Sequence, residues 1–555
     1  MQFTKENGIA PKRAFVILIG LLVLGALFRF YGLGFQSLWT DELASWDISS
    51  RESLAAVIDE TIENDHYPPG YYILLHYVIK YLGDSEAMLR MPSAIAGLLC
   101  IIALYFLGSR LYSNKEGLIA SAIMAVLWCP IYYSQEARAY IFLLLFSILS
   151  IYYWIPIVED LKNNLKPNKR DIIFYVVYSS LCCYTHYFGG YFIALQGFGS
   201  VVLFLRKKSA WGSILLIYAC IVIAFGPWIP VFFGHFKMGS SALAIAPKPI
   251  SLIYLLKFIG FVFNAQKSTF VPVSSYSTVD VIISTSIILL TTSLIVSLAA
   301  IKFYNYFIGK KSKVNTQHTL DPELLLYCWL VIPFLGLYMT RKIPKFDYYY
   351  LLISLPPAYL LISKSISTLF TKPKIQALVA VVFCVVSVIH LIYDKKYYSE
   401  PNKEQFREAV QYAVENDRRY PESKIIGYTF DRFFDYYLKR NGSAKRVDLY
   451  INDEKGVISK TDKIDLIDKK YLWLISAHLT PDEKFINCLL KDYKIIHSQN
   501  FILANVWLFE KLYPERAVNS SNLCLKHYQS KRNEKQKLLP SFIDKIQPIV
   551  LNTQD

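Results

Sequence analysis

Runs of apolar residues about as long as a bilayer core is thick alternate along the chain with short polar connections. They fall at 14–31, 90–108, 117–133, 138–157, 171–187, 189–205, 211–231, 280–301, 323–340, 348–365 and 374–393. A helix rises about 1.5 Å per residue, so a hydrocarbon core of about 30 Å needs roughly 20 residues, and each run predicts one membrane-spanning helix. Pro69 to Leu82 (PGYYILLHYVIKYL) is apolar but clearly shorter. It predicts a helix lying at the outer water boundary with its aromatic face in lipid. Pro249 to Phe263 is short in the same way and receives the same reading.

Basic residues check the count, because Lys and Arg collect in short cytoplasmic loops. Lys12/Arg13, Arg110/Lys115, Lys162 to Arg170, Arg206 to Lys208, Lys310 to Lys313 and Lys372/Lys374 fall in every second connection. Counting Pro69–Leu82 as a span would reverse every later loop. The parity therefore predicts eleven spans, with the N-terminus cytoplasmic and the C-terminus outside. The first run, Ala14 to Phe30, follows Pro-Lys-Arg without a small-residue cleavage site and reads as a retained span, not a removed signal peptide.

The pattern changes from about residue 394. Lys403 to Asn416 places Phe406, Ala409, Val410, Ala413 and Val414 at helical spacing. Strand-like runs follow at Lys424 to Phe430, Tyr471 to Ser476 and Ile495 to Leu508, with a second helical pattern near Pro481 to Leu490. The predicted organisation is a membrane domain over 1–393, a small outer-side α/β domain over 394–512, and a basic tail over 513–555 that is sparse in apolar residues.

Composition agrees with a polytopic α-helical membrane protein: 54% hydrophobic, 15% aromatic and only 18% charged residues over 555 positions. Mean hydropathy is +0.31. The net charge of +16 is dispersed in short clusters between apolar runs and in the last hundred or so residues, which suits membrane topology and predicts no nucleic-acid partner. Nine cysteines, mostly inside apolar runs and without a CxxC pair, read as small core residues.

That topology gathers five chemically loaded stretches on one side: WTDELASW (Trp39 to Trp46), HYPPGYY (His66 to Tyr72), SQEARAY (Ser134 to Tyr140), YTHYFGGY (Tyr184 to Tyr191) and RKIPKFDYYY (Arg341 to Tyr350). Asp41 and Glu42 open the first outer loop and Glu136 ends the third span. Partial burial would raise a carboxylate toward the range of a general base, while Arg138 would keep it ionised. The plainer reading is a helix cap at Asp41. Arg138, Arg341 and Lys345 offer positive charge suited to a phosphate, against the plainer reading of headgroup contact. His186 is open to three roles: orienting a carboxylate, ligating a metal, or packing. Asp41, Glu136 and His186 would hold a divalent cation, Mg or Mn, if the fold brings them together. Pro68-Pro69 forces an extended turn and then starts a helix.

In this order, these residues resemble the membrane glycosyltransferases of the C-type fold (GT-C), specifically the protein mannosyltransferase and lipid A aminoarabinose transferase group. The resemblance rests on Asp41-Glu42, the Pro-Pro element, GDSEAMLRMPSA (Gly83 to Ala94) and the Ser-x-Glu-x-Arg-x-Tyr segment. It covers about 1 to 200, with weaker echoes around 341 to 357 and in KEQFREAVQY. It implies an inverting transferase that moves a sugar from a polyprenyl-phosphate donor to a protein, lipid or polysaccharide acceptor outside the membrane, in a bacterial inner (plasma) membrane. It further implies Asp41 as the catalytic acid, taking the acceptor's proton, with Arg138 holding the carrier phosphate; to these the outer-side stretches add Glu42 and Glu136 as catalytic candidates, Tyr67, Tyr140 and His186 as substrate-binding candidates and, by extrapolation from their position, Arg341 and Lys345 on the phosphate. The chain departs from the aminoarabinose enzymes at Tyr67, where they carry a lysine, and in pairing Glu136 with Arg138. Two other functions fit a chain of this kind: a transporter of a lipid-linked or anionic substrate, and a glycan ligase using a diphosphate-linked donor. Spans poor in acids and no clear internal repeat weigh against the transporter.

Overall fold

The computed structural model describes residues 9–242, 278–307, 320–339, 348–420, 423–429, 433–441, 449–452, 456–459, 469–481 and 483–512. The short apolar stretch 249–263, Arg341, Lys345 and the tail 513–555 lie outside these residues. In chain order the first helices are α1 (Pro11–Phe30), α2 (Thr40–Ser49), α3 (Leu54–Asn64), α4 (Gly70–Leu82), α5 (Glu86–Leu111), α6 (Asn114–Val126), α7 (Trp128–Ser134), α8 (Tyr140–Lys162), α9 (Lys169–Thr185), α10 (Tyr187–Phe204), α11 (Lys208–Phe225) and α12 (Ile229–Ala242). Further helices cover Thr278–Phe307, Pro322–Met339, Leu355–Leu369 and Pro373–Ile389.

Every predicted span coincides with helix, yet not every helix has the length and composition to cross a bilayer. Among the described residues eight do, or nine if α6 and α7 are one bent span. One of the eleven expected spans falls short: the α9 helix has 17 residues and a charged first turn. The helix Pro322–Met339 is apolar and 18 residues long. The α4 helix, with 13 residues, is about 20 Å long, too short to cross and consistent with an interfacial position.

The bend of 62° between α6 and α7 has a local cause. Pro130 has no N–H, and its ring displaces the carbonyl four residues earlier, that of Val126, where α6 ends. Carbonyls just before the break lose helical partners and need others. Arg29 of α1 supplies them: its guanidinium donates to the carbonyls of Ala125 at 3.0 Å and Met124 at 2.9 Å, and to Ser134 Oγ at 3.2 Å. Gln135 answers from the other side, its Nε2 donating to the carbonyls of Phe28, Arg29 and Tyr31. Only glycine fits at 97, because a Cβ there would lie 2.0 Å from Ser134 Oγ and 2.8 Å from Arg29 Nε.

The chain divides into two compact units. The first holds Met1–Phe35 and Ile48–Glu400; the second combines Gln36–Asp47 with the chain from Pro401 on. A boundary at 393/394 drawn on composition therefore falls near the junction but misses the twelve-residue contribution of the first loop, since composition does not report tertiary partners. In the first unit α5, α6 and α8 are largely enclosed, whereas α1, α11 and Pro373–Ile389 turn side chains such as Phe15, Leu27, Leu215, Ile223 and Val381 outward, as lipid-facing helices do.

The second unit is built on a six-stranded sheet: β1 (Lys424–Tyr428), β2 (Leu449–Asn452), β3 (Gly456–Ser459), β4 (Tyr471–Ala477), β5 (Tyr493–Phe501) and β6 (Ala504–Lys511), in the order β3-β2-β1-β4-β6-β5. The central strand β1 runs parallel to β2 and β4; β3, β5 and β6 pair antiparallel. β1 and β4 are buried almost throughout, as central strands of a covered sheet should be. The run Ile495 to Leu508, expected as one strand, is a hairpin turning at Ile502-Leu503, where Leu503 takes a φ of 49°. A turn without glycine or proline leaves little trace in the pattern.

Candidate active site

The first unit brings four of the expected substrate-binding residues together. Pro68 and Pro69 bring the chain into α4, and Gly70 lets that end approach α9: a Cβ at 70 would lie 2.7 Å from the carbonyl oxygen of Tyr184. This close approach sets Tyr67 beside His186, with ring centroids 5.0 Å apart. Arg138, in the connection between α7 and α8, lies over the Tyr67 ring at 4.8 Å and the Tyr140 ring at 5.6 Å. Tyr140 is 6.1 Å from His186, and Tyr349 is 4.5 Å from Tyr140. Tyr350 stacks on Phe188 at 4.7 Å and lies 5.4 Å from His186. A guanidinium and an imidazole are thus ringed by aromatic faces in a low-dielectric setting, where a cation acts strongly on an anionic ligand.

Arg138 is held by a relay absent from the sequence expectations. Its NH1 donates to the hydroxyl oxygen of Tyr72 at 3.3 Å, and that hydroxyl donates to the Asp65 carboxylate. Burial above all, then Asp65, pushes the Tyr72 hydroxyl well above its ordinary pKa, while Arg138 opposes them. Tyr72 therefore stays protonated, and the relay keeps its direction from Arg138 through Tyr72 to Asp65. An acid directly before HYPP was the available signal for Asp65.

His186 occupies the extended junction between α9 and α10. Its Nδ1 accepts the N–H of Phe188 at 3.1 Å, so in the neutral ring the proton sits on Nε2. That Nε2 has no hydrogen-bond partner among the described residues, although the side chain is only 2% exposed. Burial and then the nearby Arg138 lower its pKa to about 3, so the ring is a neutral N–H donor across physiological pH. The same tautomer answers the metal question for this residue. A metal would need the lone pair of Nε2, which the Phe188 contact leaves protonated. Among the described residues no three His, Cys, Asp or Glu side chains lie close enough together to hold an ion.

Glu136 is buried in the α7–α8 connection near Tyr132 and Cys129. Asp41 and Glu42 belong to the second unit, in the first turn of α2. The helix begins at Thr40, so Asp41 lies inside that turn and is not its cap. Its negative charge still suits the helix N-terminus. Glu42 is fully buried and ion-paired with Lys403 at 3.3 Å, and its Oε2 also accepts the N–H of Trp39 at 3.4 Å. That arrangement is rigid and shielded, whereas Asp41 keeps partial access.

Residues 66–233 match the family described as dolichyl-phosphate-mannose-protein mannosyltransferase. The matched segment contains Tyr67, Glu136, Arg138, Tyr140 and His186. Two crystal structures of ArnT from Cupriavidus metallidurans share the fold. The apo form is 10% identical with a TM-score of 0.56, and the form bound to undecaprenyl phosphate is 11% identical with a TM-score of 0.54. Each comparison covers 90% of this chain and 98% of the other. No curated protein sequence matches the chain. The chain thus shares the fold of these ArnT structures, a C-type membrane glycosyltransferase architecture.

Proposed function

We propose that this membrane glycosyltransferase of the C-type fold takes its sugar from a polyprenyl-phosphate carrier and transfers it, with inversion, to an acceptor on the outer side of a bacterial inner membrane. The observation that carries the reading is the buried Arg138 between the Tyr67 and Tyr140 rings with the neutral His186 donor beside them. A sugar phosphate offers each of these groups its match: negative oxygens for the guanidinium, a ring face for the tyrosines, and an oxygen acceptor for Nε2–H.

Asp41 serves as general base in this proposal. The acceptor hydroxyl gives its proton to the Asp41 carboxylate as its oxygen attacks the anomeric carbon from the face opposite the phosphate. The bond from that carbon to the phosphate oxygen breaks, and its electron pair leaves with the polyprenyl phosphate. Arg138, joined by Arg341 and Lys345, takes up the negative charge released there. Nucleotide sugars are cytoplasmic, so a transferase working outside requires a sugar already carried across, and a lipid phosphate meets that requirement. Glu136 remains a second candidate acid, and Glu42 reads as a support for α2.

The test is incubation of the purified full-length protein with polyprenyl-phosphate sugars and extracted envelope acceptors, scoring transfer by mass spectrometry with and without chelator. Asp41→Asn should lower the rate by roughly 10²–10⁴-fold, the usual contribution of a general base. Full activity in a correctly inserted Asp41→Asn protein would end the Asp41 mechanism. Transfer from a diphosphate-linked donor alone would replace the reading by a ligase.

A further inference from the structure

The second unit grips the start of α2 with consecutive residues of one short segment. The N–H of Asn402 donates to Gln36 Oε1 at 3.0 Å, and Lys403 Nζ meets Glu42 Oε2 at 3.3 Å. Glu404 Oε2 accepts both the N–H of Thr40, at 2.7 Å, and its Oγ1–H, at 2.5 Å. The N–H of Arg407 donates to Ser37 Oγ at 3.1 Å, and the N–H of Leu38 donates to the Tyr437 hydroxyl at 2.7 Å. Trp46 rests edge-on against Tyr436 at 4.9 Å. Glu404 is itself held, its Oε1 accepting from His478 Nδ1 at 2.5 Å.

The helix N-terminus has backbone N–H groups that its own hydrogen bonds leave over, and a local Ser, Thr, Asp or Asn ordinarily answers them. Here the acceptor for Thr40 comes from 364 positions away. Lys403, Glu404 and Glu42 are all fully buried, and burying three charges carries a desolvation cost that a surface cap would avoid. What the arrangement gains is definition. Thr40 and Glu42 flank Asp41 and are each fixed by a neighbouring side chain, so the residue between them has little freedom to swing.

We propose that Lys403 and Glu404 are positioning residues for Asp41, and that holding α2 is the contribution of the C-terminal unit to the reaction. The inference rests on the Asp41 reading above, and it names what makes that carboxylate's placement reproducible. Reactive groups need geometry good to a fraction of an ångström, so a loosened α2 lowers turnover without touching donor binding.

The experiment uses the full-length protein in lipid and four variants: Glu404→Ala, Thr40→Val, Thr40→Ser and Asp41→Asn. Glu404→Ala and Thr40→Val should each lower kcat by tenfold or more, as order of magnitude, with KM for the polyprenyl-phosphate sugar unchanged. Thr40→Ser keeps the hydroxyl and should restore the rate. In parallel, a thiol introduced by Ala44→Cys, scored against the parent protein, should react faster with a water-soluble reagent when Glu404 is replaced. This readout does not depend on Asp41 chemistry. If Asp41→Asn is inactive while Glu404→Ala and Thr40→Val turn over normally, the positioning inference is wrong and the general-base reading survives. If Asp41→Asn is fully active, the general-base reading is wrong. The grip on α2 is then judged by the Ala44→Cys rate alone, and an unchanged rate overturns it.

Discussion

Arg138 and His186 divide two jobs that one kind of cation would perform badly. The Arg138 guanidinium lies over the Tyr67 and Tyr140 rings while donating to Tyr72, and a lysine ammonium, a compact point charge, has no planar fork to reach all three. Arg138→Lys should therefore raise KM for the lipid-linked donor by about tenfold, a change of about 1.4 kcal/mol, with a smaller effect on kcat. An unaltered KM would show that charge alone suffices. His186 makes a prediction about pH. Its folded pKa, about 3, lies below the value of 6.5 it has when unfolded. Between those limits the unfolded chain binds a proton that the folded one refuses, so stability falls as pH drops from about 6.5 toward 3 and is insensitive to this group above that window. The limiting slope is about 1.4 kcal/mol per pH unit. His186→Gln, which keeps an N–H donor without titrating, should flatten the acid side of a thermal-stability profile.

Elements show where the sequence was readable and where it was not. The amphipathic spacing of Phe406, Ala409, Val410 and Ala413 became the buried face of Phe406–Asp417, because periodicity records which side meets the core. The length of Pro69–Leu82 correctly separated α4 from the spans. Tyr67, Arg138, Tyr140 and His186 were all named from their stretches, and they meet because Gly70 allows α4 close to α9. What stayed hidden was a long-range partner, Glu404 on Thr40. Nothing in a local window says that an acid will be buried against a residue hundreds of positions away. The bend at Leu127 was hidden too, although Pro130 was in plain view, because a proline foretells a break and not what satisfies it. Arg29 does so, and Arg29→Met should leave two carbonyls and Ser134 short of a donor. A charged hydrogen bond is worth about 1.5–3 kcal/mol, so a loss of about 3 kcal/mol or more is expected, read as a lower melting temperature of the purified protein.

The alternation of basic connections describes the molecule as a whole and predicts which parts meet which solvent. Asn64, the last residue of α3, and Lys166, between α8 and α9, are exposed and belong to opposite sides under that parity. In intact cells an impermeant thiol reagent should label Asn64→Cys and spare Lys166→Cys until the membrane is opened. Labelling of both from outside would require a different count of spans. Helices α1 and α11 turn many apolar side chains outward beyond their charged first turns, while α5 and α8 are largely enclosed.

The carboxylate that completes α2 has a consequence in time as well as in space. A ribosome adding about 5–20 residues per second needs roughly 20 to 70 seconds to travel the 364 positions from Thr40 to Glu404. Throughout that interval Thr40 of the newborn first loop must do without its carboxylate acceptor. A message cut short anywhere before Glu404 would yield a chain whose α2 never receives that distant acceptor.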